Sequence, residues 1–563
     1  MKKIKIKSYA SADMVLLAFD WYDGKSTKDF LGFAINRSPG FGGANNSWLP
    51  NRLSFNGPAP VDARTGLPEI LPTDKNPIQK FMWWDANFND GEKARPYTYT
   101  VYAVTGKPGQ TKLQQGSKQI LVVNLANQEN ELIKTHFNRA VVSSQAFSIK
   151  FIKNGKFDKN KLDDALEWLA NGLGEVIPAF VKKAVKVDGA IYHLTDTKWV
   201  VPALKKFTNP LSLVYHAHAD DTASNDAIAT LEANDQTEFW PRTHTSIMHN
   251  KFLVKSSAAH KPQELLMGSA NFTTEGLSSQ ANLLHVIKSP ELAALYLDRK
   301  KFLRPDPTKG QTSAIAGWSP TIAVGQAAIR AFFFPEKSPG RMGMDVVVDA
   351  INNARQSVIF CIFTPTDSIM REAIFSAGDQ GKMMFGLVNS ISDEEPDGGD
   401  MTRADTQAKV EIYHRSRDNK DVYDHGSFNK KNQPAGFWWE LDSIPQEVKS
   451  KIPPVYIHHK FILIDAETDH PIIYTGSVNM SNNSNYNNDE NLLEIKNAPA
   501  IARLYLAEFM RLYEHYRARV QFKNNSEGRT GKGTLKLAGD HRWSIDDYTP
   551  GTPQYKSRIT MAY

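Results

Sequence analysis

HNKFLVKSSAAHKPQELLMGSANFT runs from His249 to Thr273, and HHKFILIDAETDHPIIYTGSVNMS runs from His458 to Ser481. Both open on His-x-Lys-Phe, continue as an apolar strand, a polar turn and a second apolar strand, and then reach Gly-Ser-x-Asn. In a strand, residues i and i+2 share a face. His249 therefore projects with Lys251 and His458 with Lys460, while Asn250, Phe252, His459 and Phe461 point the other way. The hairpin carries Gly-Ser-x-Asn back beside the His-x-Lys start. Gly268 and Gly476 permit a turn or a close backbone approach there, and Ser269, Asn271, Ser477 and Asn479 add hydrogen-bonding groups for a substrate. One copy alone would mean little: with 15 histidines, about one His-x-Lys arises by chance. Gly-Ser-x-Asn also recurs out of register at Gly426–Asn429, and that copy is given no role. The weight lies in two copies with the same order and nearly equal spacing.

The surrounding sequence is doubled too. Helices are expected over 162–169, 178–185 (Pro178 in the first turn) and 198–206, with strands over 188–196 and 211–218. Downstream, helices over 346–356 and 368–378 alternate with strands over 357–367 and 382–389. LVYHAHADD at 213–221 parallels EIYHRSRDN at 411–419, which puts His216 and His414 at the ends of equivalent strands, near the expected cleft as substrate contacts. Strands separated by helices imply βαβ units, and a long internal repeat decides the architecture. The fold class is α/β: two homologous αβ halves over residues 129–300 and 326–520, joined by a Pro- and Gly-rich linker at 301–325. Residues 1–128 read as an all-β, sandwich-like accessory domain. Short apolar runs recur there between turn residues, and Tyr97, Tyr99, Val101 and Ala103 share one face. Residues 521–563 form a C-terminal extension.

Composition sets broad limits. A chain of 563 residues suggests about three or four structural units. No stretch approaches the roughly 18 apolar residues of a membrane span. The start is basic, but the apolar run Met14–Phe19 is too short for a signal sequence. The protein is therefore expected in the cytoplasm, or exported without a cleaved signal peptide. The single cysteine, Cys361, lies in SVIFCIF and reads as a buried strand thiol. A net charge of +6 suits anionic substrates in general, without singling out nucleic acid.

Two facing His-x-Lys sets suit phosphodiester cleavage. One neutral imidazole attacks phosphorus and forms a phosphohistidine. The other donates a proton to the leaving oxygen and then deprotonates water. The lysines stabilise charge on the non-bridging oxygens. The scheme requires neither metal nor cofactor, and no HExxH, Cys/His cluster or EF-hand loop is found. The chain at this point resembles the phospholipase D superfamily, whose signature is H-x-K-x4-D followed by G-S-x-N. The second copy is complete in His458, Lys460, Asp465, Gly476, Ser477 and Asn479; the first has Ser256 in place of Asp, as tyrosyl-DNA phosphodiesterases lack it. The resemblance covers roughly 130–520. It implies a pseudo-twofold arrangement with the active site between the halves, His249 as nucleophile and His458 as general acid/base. It also places Asp465 in the catalytic set, although this residue lies off the His/Lys face, as a structural residue would. SSQANLL at 278–284 parallels NNDENLL at 487–493, with Ala281 opposite Glu490; Glu490 resembles the family carboxylate that orients a catalytic histidine.

Three further stretches are weighed. The acidic run at 393–400 reads as a solvated loop. GFWWELD at 436–442 reads as aromatic packing or as a lid or membrane-surface anchor, and His541-Arg542-Trp543 as tail packing or a cover over the cleft. The substrate is expected to be a phospholipid headgroup ester, hydrolysed or transferred, with a membrane surface as a candidate partner. The alternatives are a metal-independent nuclease or other nucleotide phosphodiesterase, and a non-catalytic scaffold. With both half-sites in one chain, a monomer is expected.

Overall fold

Val15–Asp20 is buried along its whole length because both its faces are covered. Val15, Leu17 and Phe19 enter the core of the N-terminal region with Phe30, Phe33 and Tyr99. Leu16 and Ala18 point the other way and join the largest core of the molecule. A strand covered on both faces reads as a continuous apolar run. The computed structural model describes residues 1–60, 69–88, 90–140, 147, 150–153, 156–218, 221–232, 235–389, 411–413, 422–424, 457–526 and 536–563. His414 and the stretches 393–400, 426–429 and 436–442 lie outside them.

The N-terminal region is rich in sheet, as read. Lys5–Ala10, Val15–Asp20 and Met82–Asp85 form one antiparallel sheet. Tyr97–Lys107 is the spine of a second, pairing with Phe30–Ser38, Gln110–Leu113 and Gln119–Val123. Tyr97, Tyr99, Val101 and Ala103 are buried, while Thr98, Thr100 and Tyr102 are half-buried on the opposite face.

Two large sheets follow with the same central order. In the first, Leu283–Lys288, Pro262–Gly268, Lys251–Ser256, Lys186–Ile191 and Leu211–His216 lie side by side; in the second, Asn491–Lys496, Ile472–Gly476, Lys460–Ile464, Ser357–Ile362 and Met383–Val388 do so. The last two strands of each set are parallel and the other neighbours antiparallel. This order corrects one equivalence. Leu211–His216 matches Met383–Val388, not the strand Glu411–Tyr413, which lies one place further out and runs antiparallel to its neighbour. His216 is therefore the counterpart of Asn389, not of His414.

Each His-x-Lys strand is apolar on both faces. Phe252 and Val254 of the first sheet, with Phe461 and Leu463 of the second, meet in the central core. Leu253 packs outward under helices including Leu173–Lys182 and Val200–Lys205. Ile462 packs outward under Met342–Asn352 and Ser368–Asp379. The first of these helices starts earlier than expected, at Leu173 after Gly172 (φ 82°), so Pro178 lies inside it. Residues 301–325 hold the end of helix Pro290–Leu303, helix Lys309–Ala314 and strand Ile322–Val324. Cys361 is buried in its strand, and burial pushes its thiol pKa up. Among the described residues, no helix is long and apolar enough to cross a membrane.

Helix Pro499–Ser526 sends Tyr505, Phe509 and Tyr513 into the central core. The chain then returns to its beginning. Trp543 stacks on Phe81 and donates to the Phe30 carbonyl, and His541 contacts the Lys28 carbonyl. These contacts seat the segment on the N-terminal sheet and correct the idea of a cover over the cleft. In helix Pro553–Ala562, the buried Arg558 pairs with Asp20, which also accepts from the Tyr563 hydroxyl at 2.8 Å. Removing one partner of a buried ion pair costs about 3–5 kcal/mol, because the other is left charged and unpaired. Arg558→Met is expected to destabilise by that order in urea denaturation, and to make the N-terminal 130 or so residues the first site of limited proteolysis.

Candidate active site

The two large sheets meet where the two motifs begin. Met248 bridges to Asp489 and Ile457 to Ala281. The His249 N–H donates to the Asp489 carbonyl at 2.9 Å, and the His458 N–H to the Ala281 carbonyl at 3.1 Å. Each histidine is thus held by backbone of the opposite half.

The side chains are crossed in the same way. His249 Nδ1 lies 2.8 Å from Glu490 Oε2. His458 Nδ1 lies 2.9 Å from Asn282 Oδ1. Glu490 accepts from Ser477 Oγ at 2.6 Å and from Ser484 Oγ at 3.1 Å. Ser269 Oγ donates to Asn282 Oδ1 at 2.9 Å, and Asn282 Nδ2 donates to the Gly276 carbonyl. Gly268 pairs with Leu284, and Gly476 with Leu492. That register sets Asn282 opposite Glu490 and corrects the pairing of Ala281 with Glu490 by one residue. An aligned Ala would have left one histidine without an orienting group; the structure supplies an amide. A Cβ at Gly268 would fall on the Leu283 carbonyl, and one at Gly476 on that of Asn491, so the close approach read from the motif is real.

Lys251 Nζ donates to the His249 carbonyl at 2.6 Å. Lys460 Nζ donates to the His458 carbonyl at 2.9 Å and lies 3.3 Å from His458 Nε2. Each set rests on one aromatic ring that follows the neighbouring strand. Tyr192 lies 5.0 Å from the His249 ring and 5.0 Å from Lys251 Nζ. Phe363 lies 5.5 Å from the His458 ring and 5.7 Å from Lys460 Nζ. His216 Nδ1 accepts from the Met248 N–H at 3.2 Å, and Asn389 Oδ1 from the Ile457 N–H at 3.3 Å. Both therefore fix the backbone one residue ahead of a histidine. Tyr192, Phe363, Asn282 and Asn389 were not singled out in the sequence. The strand ends were the signal for Tyr192, Phe363 and Asn389, whereas the doubled Asn-Leu-Leu aligned Asn282 with Asn491, one residue off.

Electrostatics follow from burial. His249 and His458 are held well below the usual histidine range, first by burial and then by the nearby lysines. The His249–Glu490 contact is therefore a neutral imidazole donating to the carboxyl. Burial pushes Glu490 up to about 7, opposed by Lys251, Ser477 and Lys460. Lys460 is lowered to about 7 by burial, against the pull of Glu490, and Lys251 is lowered well below its ordinary value for the same reason.

Three expected roles change. Ser269 and Ser477 are fully buried and their hydroxyls are engaged by Asn282 and Glu490, so they position those groups instead of meeting substrate. His216, 5% exposed, likewise acts through the backbone. Asp465 stands apart from the cluster, with φ 52°, accepting from the backbone N–H groups of Arg355, Gln356 and Ser357 at 2.7–3.1 Å. It is a turn anchor. Asn271 and Asn479 differ from the serines: their buried amide oxygens accept no hydrogen bond among the described residues. One further group braces the site. Buried Arg242 donates to Asp489 at 2.7 Å, to Asp306 at 2.7 Å and to the Pro307 carbonyl, tying both halves and their connection beside Glu490.

Residues 347–513 match the family described as "Cardiolipin synthase, PLD-like domain", which bears out the resemblance to the phospholipase D superfamily read from the motifs. No curated protein matches the chain. Among solved structures, polyphosphate kinase from Porphyromonas gingivalis aligns over 71% of this chain and 52% of its own, at 12% identity and TM-score 0.37. The chain thus spans about half the length of that kinase. Phosphatidylserine synthase from Haemophilus influenzae Rd KW20 aligns over 70% of this chain and 94% of its own, at 14% identity and TM-score 0.39. The phospholipase D family member Nuc from Salmonella typhimurium aligns over 23% and 85%, at 21% identity and TM-score 0.20.

Asp465→Ala leaves three backbone donors unpaired. It is expected to cost about 1–3 kcal/mol in urea denaturation without altering the chemistry at His249 and His458; loss of activity with unchanged stability would contradict the anchoring role.

Proposed function

We propose that this chain is a phosphodiesterase of the phospholipase D type, working by double displacement between two halves related by a pseudo-twofold, with a phospholipid headgroup ester as substrate. The observation that carries the reading is the crossed, unequal pair of orienting contacts: a carboxyl on His249 and an amide on His458. A carboxylate accepting from Nδ1–H fixes the tautomer and raises the electron density at Nε2, as a nucleophile requires. An amide oxygen fixes the other ring without adding charge, which suits an imidazole that must gain and lose a proton.

The phosphodiester's negative charge offsets the lysines and lets His458 Nε2 take up a proton; the first step then forms a bond from His249 Nε2 to phosphorus and breaks the bond to the leaving oxygen, which takes that proton. In the second, water or an alcohol gives its proton to His458 and attacks phosphorus, and the P–N bond breaks. Lys251 and Lys460 each spend one donor on a backbone carbonyl. Their remaining protons serve the non-bridging oxygens. Asn271 and Asn479 keep unfilled hydrogen-bonding capacity for substrate.

Purified protein in excess EDTA, given phosphatidylcholine vesicles and ethanol, is expected to form phosphatidylethanol. His249→Ala and His458→Ala are each expected to lose at least on the order of 10²-fold. DNA cleavage with no lipid product would move the protein to the nuclease class, and silence on both substrates with the fold intact would favour a scaffold.

The pH profile is a second check. As pH falls through about 7, Glu490 gains a proton and no longer accepts as a carboxylate. As pH rises through about 7, Lys460 loses its charge. A narrow bell in kcat/KM near pH 7 is expected, reporting the coupled site and not single residues. Glu490→Gln should remove the acid limb; an unchanged limb would sink this assignment.

A further inference from the structure

His193 is a third imidazole beside the site, and the mechanism above does not use it. Its Nδ1 lies 2.7 Å from Asp221 Oδ2. Its ring lies 3.7 Å from that of Tyr192, which also packs against His249 at 5.0 Å. Both imidazoles thus pack on the one Tyr192 ring. The dyad is held from both ends. Asp221 Oδ1 accepts the Ser224 N–H at the start of helix Thr222–Glu232, and Ser224 Oγ accepts the Leu194 N–H at 3.1 Å. The His193 side chain is 29% exposed, and its Nε2 has no partner among the described residues.

The fold does not require an imidazole here. In the second sheet Thr364 follows Phe363 in the place that His193 holds after Tyr192. The local charge balance favours an anion at Nε2. Asp221 is engaged by His193 and the helix, and Glu490 by His249 and two serines. Burial works to raise the Asp221 pKa, but the hydrogen bonds from His193 and Ser224 outweigh it and hold the carboxyl below its ordinary value. A charged carboxylate at Nδ1 keeps that nitrogen a donor, and a proton on Nε2 then makes the ring a charge-assisted donor.

We propose that His193, held by Asp221, forms a second anion-binding position beside the phosphate pocket, so that the phosphodiester taken here carries a further phosphate. The inference rests on the reading of the His249/His458 pocket as a phosphoryl site. Because His193 and His249 pack on the same Tyr192 ring, the second group lies beside the scissile phosphorus, and His193 determines specificity.

Calorimetric titration with inorganic orthophosphate and pyrophosphate tests this apart from turnover. The wild type is expected to bind pyrophosphate about tenfold more tightly than orthophosphate, roughly 1.4 kcal/mol. His193→Ala should lose that preference while keeping orthophosphate binding, and His193→Gln, which retains a donor, should recover part of it. If His193→Ala does not fold, His193→Phe against His193→Gln makes the same comparison. Equal affinity for the two anions, no pyrophosphate binding, or equal loss of both in the variants would overturn the proposal. Displacement of pyrophosphate by a nucleoside diphosphate or by vesicles containing a phosphoinositide phosphate shows which source supplies the second phosphate, and displacement by neither also overturns it. A wild type that shows the preference yet cleaves no phosphodiester would end the enzymatic reading and leave this one standing.

Discussion

Two lysines and two histidines are buried together in one pocket with a single carboxyl among them. Burying charge is costly unless it is paired and hydrogen-bonded, and the rest of the site answers that cost. The imidazoles stay neutral. The lysines lean on the carbonyls of their own histidines. Glu490 is fixed by two serine hydroxyls as well as by His249. A pocket so short of negative charge suits an anionic ligand, and the proposed phosphodiester would supply the charge that the protein withholds.

The two large sheets cannot be separated without dismantling the site, because the contacts that hold the Nδ1 atoms of both histidines cross between them. Glu490 serves the first histidine and Asn282 the second, and the backbone bridges follow the same crossing. Arg242 extends the crossing to the connecting segment through Asp489, Asp306 and Pro307. The two ends of the chain are bound into the same body. The first hairpin fills part of the central core, and the last helix returns to Asp20 of that hairpin. The N-terminal region is thus continuous with the scaffold of the site.

Much of this was legible because local patterns carried it. The period of two in His-x-Lys, the glycine before Ser-x-Asn and the doubled helix–strand alternation each constrain the chain within a few residues. They sufficed for the α/β class, the sheet-rich start and the pairing of His249 with Lys251 and of His458 with Lys460 on their strands. The errors came where the answer depended on register between distant strands. Asn282 and Ala281 are neighbours in sequence, and only the pairing of Gly268 with Leu284 decides which of them faces a histidine. His216 and His414 share a local motif, yet the sheet order gives His216 the place that Asn389 holds in the other half.

The sequence by itself determined which groups could do chemistry, since residue type and short spacing fix what a strand presents on one face. Only the tertiary structure decided how those groups are used. Ser269 and Ser477 became supports, Asp465 an anchor, and Asn282 and Glu490 the unequal partners of the two histidines. The physical reason is that a hydrogen bond between residues some two hundred positions apart depends on strand register and burial, neither of which is written in the spacing along the chain.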